Sequence, residues 1–245
     1  MQSDRFTVLI GSAQMSFQVP QELLIQHSSV FKKMCHPPFI ESIERTIKLP
    51  EEKPATFANF FIWLHALEPC ITVIDIESVI DLAIFAEKYH ICCLKNQTSD
   101  VLRTALSDNR WRVTPEIITA VYSSVPAGTT LRQMFSLGFA VNYGSSALSW
   151  SRRNTVTEYW AEWEKVFCDF PDLGWDFFQH IQKGQADASS IKLGGACRFH
   201  DHSDTFGWVR GSNSACPYPY GVPLTMQGYK KSFGNMLEEP ADEQA

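Results

Sequence analysis

Residues Arg45 to Leu94 read RTIKLPEEKPATFANFFIWLHALEPCITVIDIESVIDLAIFAEKYHICCL, and their pattern decides the fold. Thr46-Ile47-Lys48-Leu49 alternates polar and apolar residues, the period of a half-buried strand, and Pro50 stops further pairing. Pro54 suits the first turn of a helix, where its missing N–H costs nothing. Phe57, Phe60, Phe61, Leu64 and Leu67 then follow at helical spacing as one apolar stripe. A second helix starting near Ile76 carries Val79, Ile80, Leu82, Ala83, Ile84, Phe85 and Ala86 on almost every side, so it has to be central.

Working outward, Phe6 to Ile10 and Met15 to Val19 read as short strands joined by the turn-forming Gly11-Ser12-Ala13-Gln14, a hairpin. Pro20 opens a helix expected to run from Gln21 to about Cys35, closed by His36-Pro37-Pro38. Beyond Leu94, Lys95 to Leu106 reads as a helix with Val101, Leu102 and Leu106 inward, and Asp108-Asn109-Arg110 breaks the pattern. The expected class is α+β.

The ordered series of strand, Leu-Pro, Phe-rich helix ending Trp63-Leu64-His65, then Ala83-Ile84-Phe85-Ala86-Glu87-Lys88-Tyr89, resembles a BTB/POZ domain of the type common in filamentous fungi. The resemblance implies a BTB/POZ fold over residues 5–107, a short sheet capped by a helical bundle. Many relatives place His-Lys where this chain has Pro20-Gln21. Familiar homodimeric members carry an extra helix and strand before the hairpin, and five residues precede Phe6 here, so a weak monomer–dimer balance is expected rather than an obligate dimer.

An α-helical extension is expected over residues 110–182. Thr114-Pro115-Glu116 is a helix start in which Thr can cap, with Ile117, Ile118, Val121 and Tyr122 forming the buried face. A helix from Thr130 to about Tyr143 carries Leu131, Met134, Phe135, Leu137 and Phe139. Thr155-Val156-Thr157-Glu158 has capping-box spacing, and Val156, Tyr159, Trp160, Trp163, Val166 and Phe167 form an aromatic stripe behind it. That stripe reads either as packing on the preceding helices or as an exposed peptide-binding groove. Leu173 to Ile181 is expected to form one more helix, with Trp175, Phe178 and Ile181 inward. From Lys183 on, Gly, Ser, Asn and Pro dominate, the composition of an irregular, partly disordered tail.

Two constellations carry candidate chemistry. In cullin-binding BTB proteins a hydrophobic residue, any residue and Glu occur between the first core helix and the following strand, and Phe39-Ile40-Glu41 is similar. An apolar anchor beside a carboxylate can fill a pocket and fix orientation; the alternative packs Phe39 inward and leaves Glu41 solvated. In the tail, Cys197, His200, His202 and Cys216 supply two thiolates and two imidazoles, enough for a structural zinc that would staple the segment. The alternative leaves them four ordinary loop residues.

Composition excludes other classes. A 245-residue chain that is 44% hydrophobic and 13% aromatic builds a core, and its net charge of -6 offers no nucleic-acid face. The tail, with six Lys/Arg against seven Asp/Glu, lacks the basic recognition helix of a DNA-binding finger. No window reaches the ~20 apolar residues a bilayer needs and MQSDRFTVLIGS is not signal-like, so a location inside the cell, cytoplasmic or nuclear, is expected. Seven cysteines spread without framework spacing read mostly as reduced core residues, Cys92-Cys93 included.

There is no G-x-S-x-G elbow, phosphate loop, dinucleotide fingerprint or H-E-x-x-H. The sequence therefore points to a noncatalytic protein–protein interaction module, in its sharper form a substrate adaptor for a cullin-based ubiquitin ligase. The alternative is a transcriptional or scaffold regulator acting through BTB self-association, and the remote one a metal-dependent enzyme.

Overall fold

The computed structural model describes residues 4–66, 71, 75–107, 112–143, 157–184 and 196–202. The class is α+β, a small sheet with many helices. Strand β1 (Arg5–Ile10) pairs antiparallel with β2 (Met15–Pro20), Val8 opposite Phe17, and parallel with β3 (Thr46–Leu49), Val8 opposite Ile47. The order is β2-β1-β3. Phe6, Val8 and Ile10 share one buried face with Ile47 and Leu49, the alternation that a pleated strand imposes. Gly11 closes the hairpin at φ +69°, where glycine is favoured, and a Cβ there would stand 3.3 Å from the Pro54 ring, a tight contact.

The expected single helix Gln21–Cys35 is two: α1 (Gln21–His27) and α2 (Ser29–Met34). Ser28 takes extended backbone between them; its hydroxyl accepts from the Phe31 N–H at 3.0 Å and donates to the Tyr89 carbonyl at 2.6 Å. A serine able to cap one helix and bond another outcompetes helix continuation at that position. Helix α3 (Ile40–Glu44), too short for sequence periodicity to reveal, leads into β3.

Helices α4 (Pro54–His65) and α5 (Ile76–Lys88) form the core of this first half. Phe57, Phe60, Trp63 and Leu64 of α4 are buried, with Val79, Ile80, Leu82, Ala83, Phe85 and Ala86 of α5. Ring pairs lock them together: Phe60–Phe85 at 5.1 Å, Phe85–Tyr89 at 4.5 Å and Phe31–Tyr89, stacked, at 4.8 Å. Asp75 caps α5 by accepting from the Ser78 N–H at 2.7 Å, which holds its carboxyl below the usual range.

Helix α6 (Cys92–Ser107) follows. Cys92 is half-buried and Cys93 exposed, so this pair is not the buried one expected; among the described cysteines Cys35 is buried. The chain divides into two compact units between Thr98 and Ser99, within α6.

The second unit contains α7 (Pro115–Ser124), α8 (Thr130–Tyr143), α9 (Thr157–Asp169), α10 (Pro171–Gln182) and a 3-10 turn at Ala196–Phe199. Thr114 holds the N-cap position of α7 without a side-chain cap bond, contrary to expectation. Residues 155 and 156 of the expected capping box lie outside the described residues. Helix α8 is buried along almost its whole length, and on α9 Trp163 packs 4.6 Å from Phe139 and 5.4 Å from Tyr143. The described part of the aromatic stripe is therefore packing. On α10 the expectation fails: Leu173 and His180 face inward, whereas Trp175, Phe178 and Ile181 are exposed. Among the described residues no helix is long and apolar enough to cross a membrane.

Candidate functional site

Phe39, Ile40 and Glu41 sit where α2 gives way to α3. Phe39 occupies the N-cap position of α3 in extended conformation, and its carbonyl accepts from the Ser42 N–H at 3.1 Å and the Ser42 hydroxyl at 2.8 Å. Arg45 closes the helix in the left-handed region at φ +52°, its N–H returning to the Glu41 carbonyl. The same Arg45 reaches Asp4 at 3.3 Å and lies over the Phe6 ring at 5.7 Å, while its carbonyl accepts from the Thr7 N–H at 2.9 Å. The short helix is thus fastened to the sheet at its C-terminal end.

With the backbone held, the apolar side chains have nowhere inward to go. Phe39 is 45% exposed, Ile40 58% and Ile43 72%. Ile40 and Ile43 share a helix face at i, i+3, and Phe39 and Ile43 are four apart, so the three form one outward cluster. Glu41 is half-buried beside them, and Glu44 pairs with Lys48 at 3.8 Å. Three large apolar residues exposed together on a five-residue helix and its N-cap make an apolar surface of the kind from which a partner gains binding energy. Ile43 is the member sequence reading missed; its spacing from Ile40 was the available signal.

The tail constellation is only partly visible. Cys216 and the Cys197 side chain lie outside the described residues. His200 is buried with Nε2 3.2 Å from Asp100 Oδ1, and its ring centre is 6.0 Å from that of His202. Among the described residues no group of three or more His, Cys, Asp or Glu side chains is arranged to hold a metal ion.

A Ser–His contact that no motif announced occurs in the second unit. Ser136 Oγ lies 3.0 Å from His180 Nε2 and 3.1 Å from the Gln133 carbonyl, to which its O–H can donate. Both side chains are buried, Ser136 completely, so no substrate atom reaches the oxygen without parting α8 from α10. Next to it the Tyr122 hydroxyl donates to Asp176 at 3.2 Å, and burial first, then the Asp176 charge, push its pKa well above the usual phenol value. These contacts join α7, α8 and α10 and read as internal satisfaction of buried polar groups.

No family model matches the chain. Among curated proteins it is similar to a BTB/POZ domain-containing protein of Arabidopsis thaliana, 31% identical over 87 residues that cover 36% of this chain and 35% of that protein. The chain thus spans about a third of the length of the curated relative it matches. A three-stranded sheet accompanied by many helices is compatible with a BTB-like fold.

Proposed function

We propose that this chain is a noncatalytic BTB/POZ interaction module that docks a protein partner through Phe39, Ile40 and Ile43, with Glu41 fixing orientation. The observation that carries the reading is the outward apolar cluster on a helix whose end is fastened to the sheet. Likeness to a BTB/POZ domain-containing protein supports the class. In its sharper form the partner is a cullin-type scaffold and the chain a substrate adaptor of the filamentous-fungal kind, its second unit reaching the target. Fully burying an apolar side chain of this size contributes about 1.5–3 kcal/mol, so truncating one anchor weakens binding by about tenfold or more.

The test is binding of the purified chain to a cullin scaffold fragment, comparing wild type with Phe39→Ala, Ile43→Ala and Glu41→Ala. All three positions lie outside the core, so each variant keeps its fold, as circular dichroism checks. Expected losses are about tenfold or more for Phe39→Ala and Ile43→Ala and less for Glu41→Ala. Absence of wild-type binding at high micromolar concentration removes the cullin version; binding unchanged by all three substitutions removes this surface. A structural zinc on Cys197, His200, His202 and Cys216 is a separate proposal, tested by elemental analysis of the purified chain.

A further inference from the structure

The second unit holds a short segment of the chain's own tail. The 3-10 turn Ala196–Phe199 packs against α8, and the adjacent side chains of Phe199 and His200 are each only 1% exposed. His200 Nε2 lies 3.2 Å from Asp100 Oδ1 on α6, the oxygen that also accepts from an Arg103 Nη at 3.2 Å. Arg198, Asp201 and His202, on either side, are half-buried. Four residues of 3-10 turn have no stability of their own, so the side chains the segment inserts set its place.

We infer that α6 and α8 form a peptide-docking groove that reads an aromatic ring followed at once by an imidazole. Phe199-His200 fills it in cis until a partner segment of the same chemistry displaces it. The occupant in place selects this partner. The wall on α8 takes one ring, which supplies the buried area, and Asp100, steadied by Arg103, accepts from the next residue. The same carboxylate repels Asp or Glu at the position after the ring. Its side chain is still 30% exposed, so the groove meets solvent at that end.

Helix α8 is held to its other neighbours by contacts that do not pass through the segment. Arg132 donates to the Val125 carbonyl at 2.8 Å and to Asp172 at 2.6 Å, Ser136 Oγ lies 3.0 Å from His180 Nε2, and Phe139 packs on Trp163 at 4.6 Å. The segment can therefore leave while the helices stay, a local opening that costs less than unfolding the unit. A ligand on a short tether competes at an effective concentration of about a millimolar, so a partner must add contacts of its own to the ring and the imidazole. The groove lies on the second unit, and the inference does not depend on the Phe39 cluster.

The probe is a labelled synthetic peptide of residues 195–203 carrying Cys197→Ser and Arg198→Gln, the second change making it resistant to trypsin. The full chain with Phe199→Ala, its groove vacated, should bind this peptide about tenfold or more tightly than wild type does. The same peptide with Phe199→Ala should not bind, and with His200→Ala it should bind severalfold more weakly. Circular dichroism and the melting temperature check that the variant chain folds. A second reading needs no altered chain: trypsin cuts after the half-buried Arg198 when the segment has left α8. About a millimolar of peptide should speed that cut severalfold in wild type and leave the cut after Arg132, on α8 itself, unchanged. No binding to the folded Phe199→Ala chain, equal binding to variant and wild type, or an Arg198 cut indifferent to the peptide overturns the inference.

Discussion

Cys35, Tyr89 and Tyr122 keep their protons for one shared reason, burial, and together they set how the protein meets alkali. Burial raises the Cys35 thiol from 9.0 to about 11, opposed only in part by the Arg45 charge. Burial followed by the nearby Glu52 lifts Tyr89 above the ordinary phenol value, as burial and Asp176 lift Tyr122. The sign is that of groups whose folded pKa is raised. Their contribution is complete below the unfolded value and is lost as pH climbs toward the folded one, because the unfolded chain ionises first. At about 1.4 kcal/mol per pKa unit, Cys35 alone removes roughly 2 kcal/mol between pH 9 and pH 11. Urea midpoints should therefore hold steady up to pH 9 and fall above it, and Cys35→Ala should flatten the first part of the fall. A midpoint independent of pH across that window would show the thiol to be accessible.

Elements in the second unit are tied by one cation. Arg132 on α8 donates Nε to the Val125 carbonyl at 2.8 Å and an Nη to the Tyr122 carbonyl, both at the C-terminal end of α7, and its other Nη to Asp172 on α10. Its guanidinium also lies 4.6 Å from the Tyr122 ring centre. Lysine keeps the charge but not the fork, so Arg132→Lys leaves carbonyls without donors and should cost about 1–3 kcal/mol in chemical denaturation. An unchanged midpoint would mean that the three helices hold without the clamp.

How far the sequence could foresee such elements follows from the signal each one leaves. Strands β1 to β3 and helices α4, α5, α7 and α8 were legible because their apolar residues recur at the pleat or helix period over several turns. Helix α3 has five residues and too few repeats to register. The α1–α2 break rests on one hydroxyl whose partner, Tyr89, is remote in sequence. On α10 periodicity found the stripe but assigned it the wrong side: Leu173 and His180 supply the inward face, and a wheel with apolar residues on both sides does not say which meets the core. At the candidate site Phe39, Ile40 and Glu41 were legible through resemblance, whereas Ile43 required knowing that a helix was there.

For the whole molecule, the division within α6 bears on where the chain can be cut. Leu94 is buried in the first unit, while Val101, Leu102 and Leu106 are buried residues of the second. A Cβ added at Gly138 would stand 2.7 Å from Leu106 Cδ2, so α8 lies directly against that leucine. A fragment ending at residue 107, the boundary expected from sequence, keeps α6 whole but strips that cover. It should melt below the full chain and bind a hydrophobic dye, and a fragment that melts with the full chain and binds none would place the boundary where the sequence had it.

Ser28 also carries information about time. Helix α2 has six residues, far short of the roughly 12–15 at which a helix begins to hold itself in water. The hydroxyl that caps it is fastened to a carbonyl 61 residues along the chain, at the end of α5. Helix α2 therefore has no stable existence until α5 has docked, which makes it a late arrival in folding and, by the same contact, among the first elements released when α5 loosens.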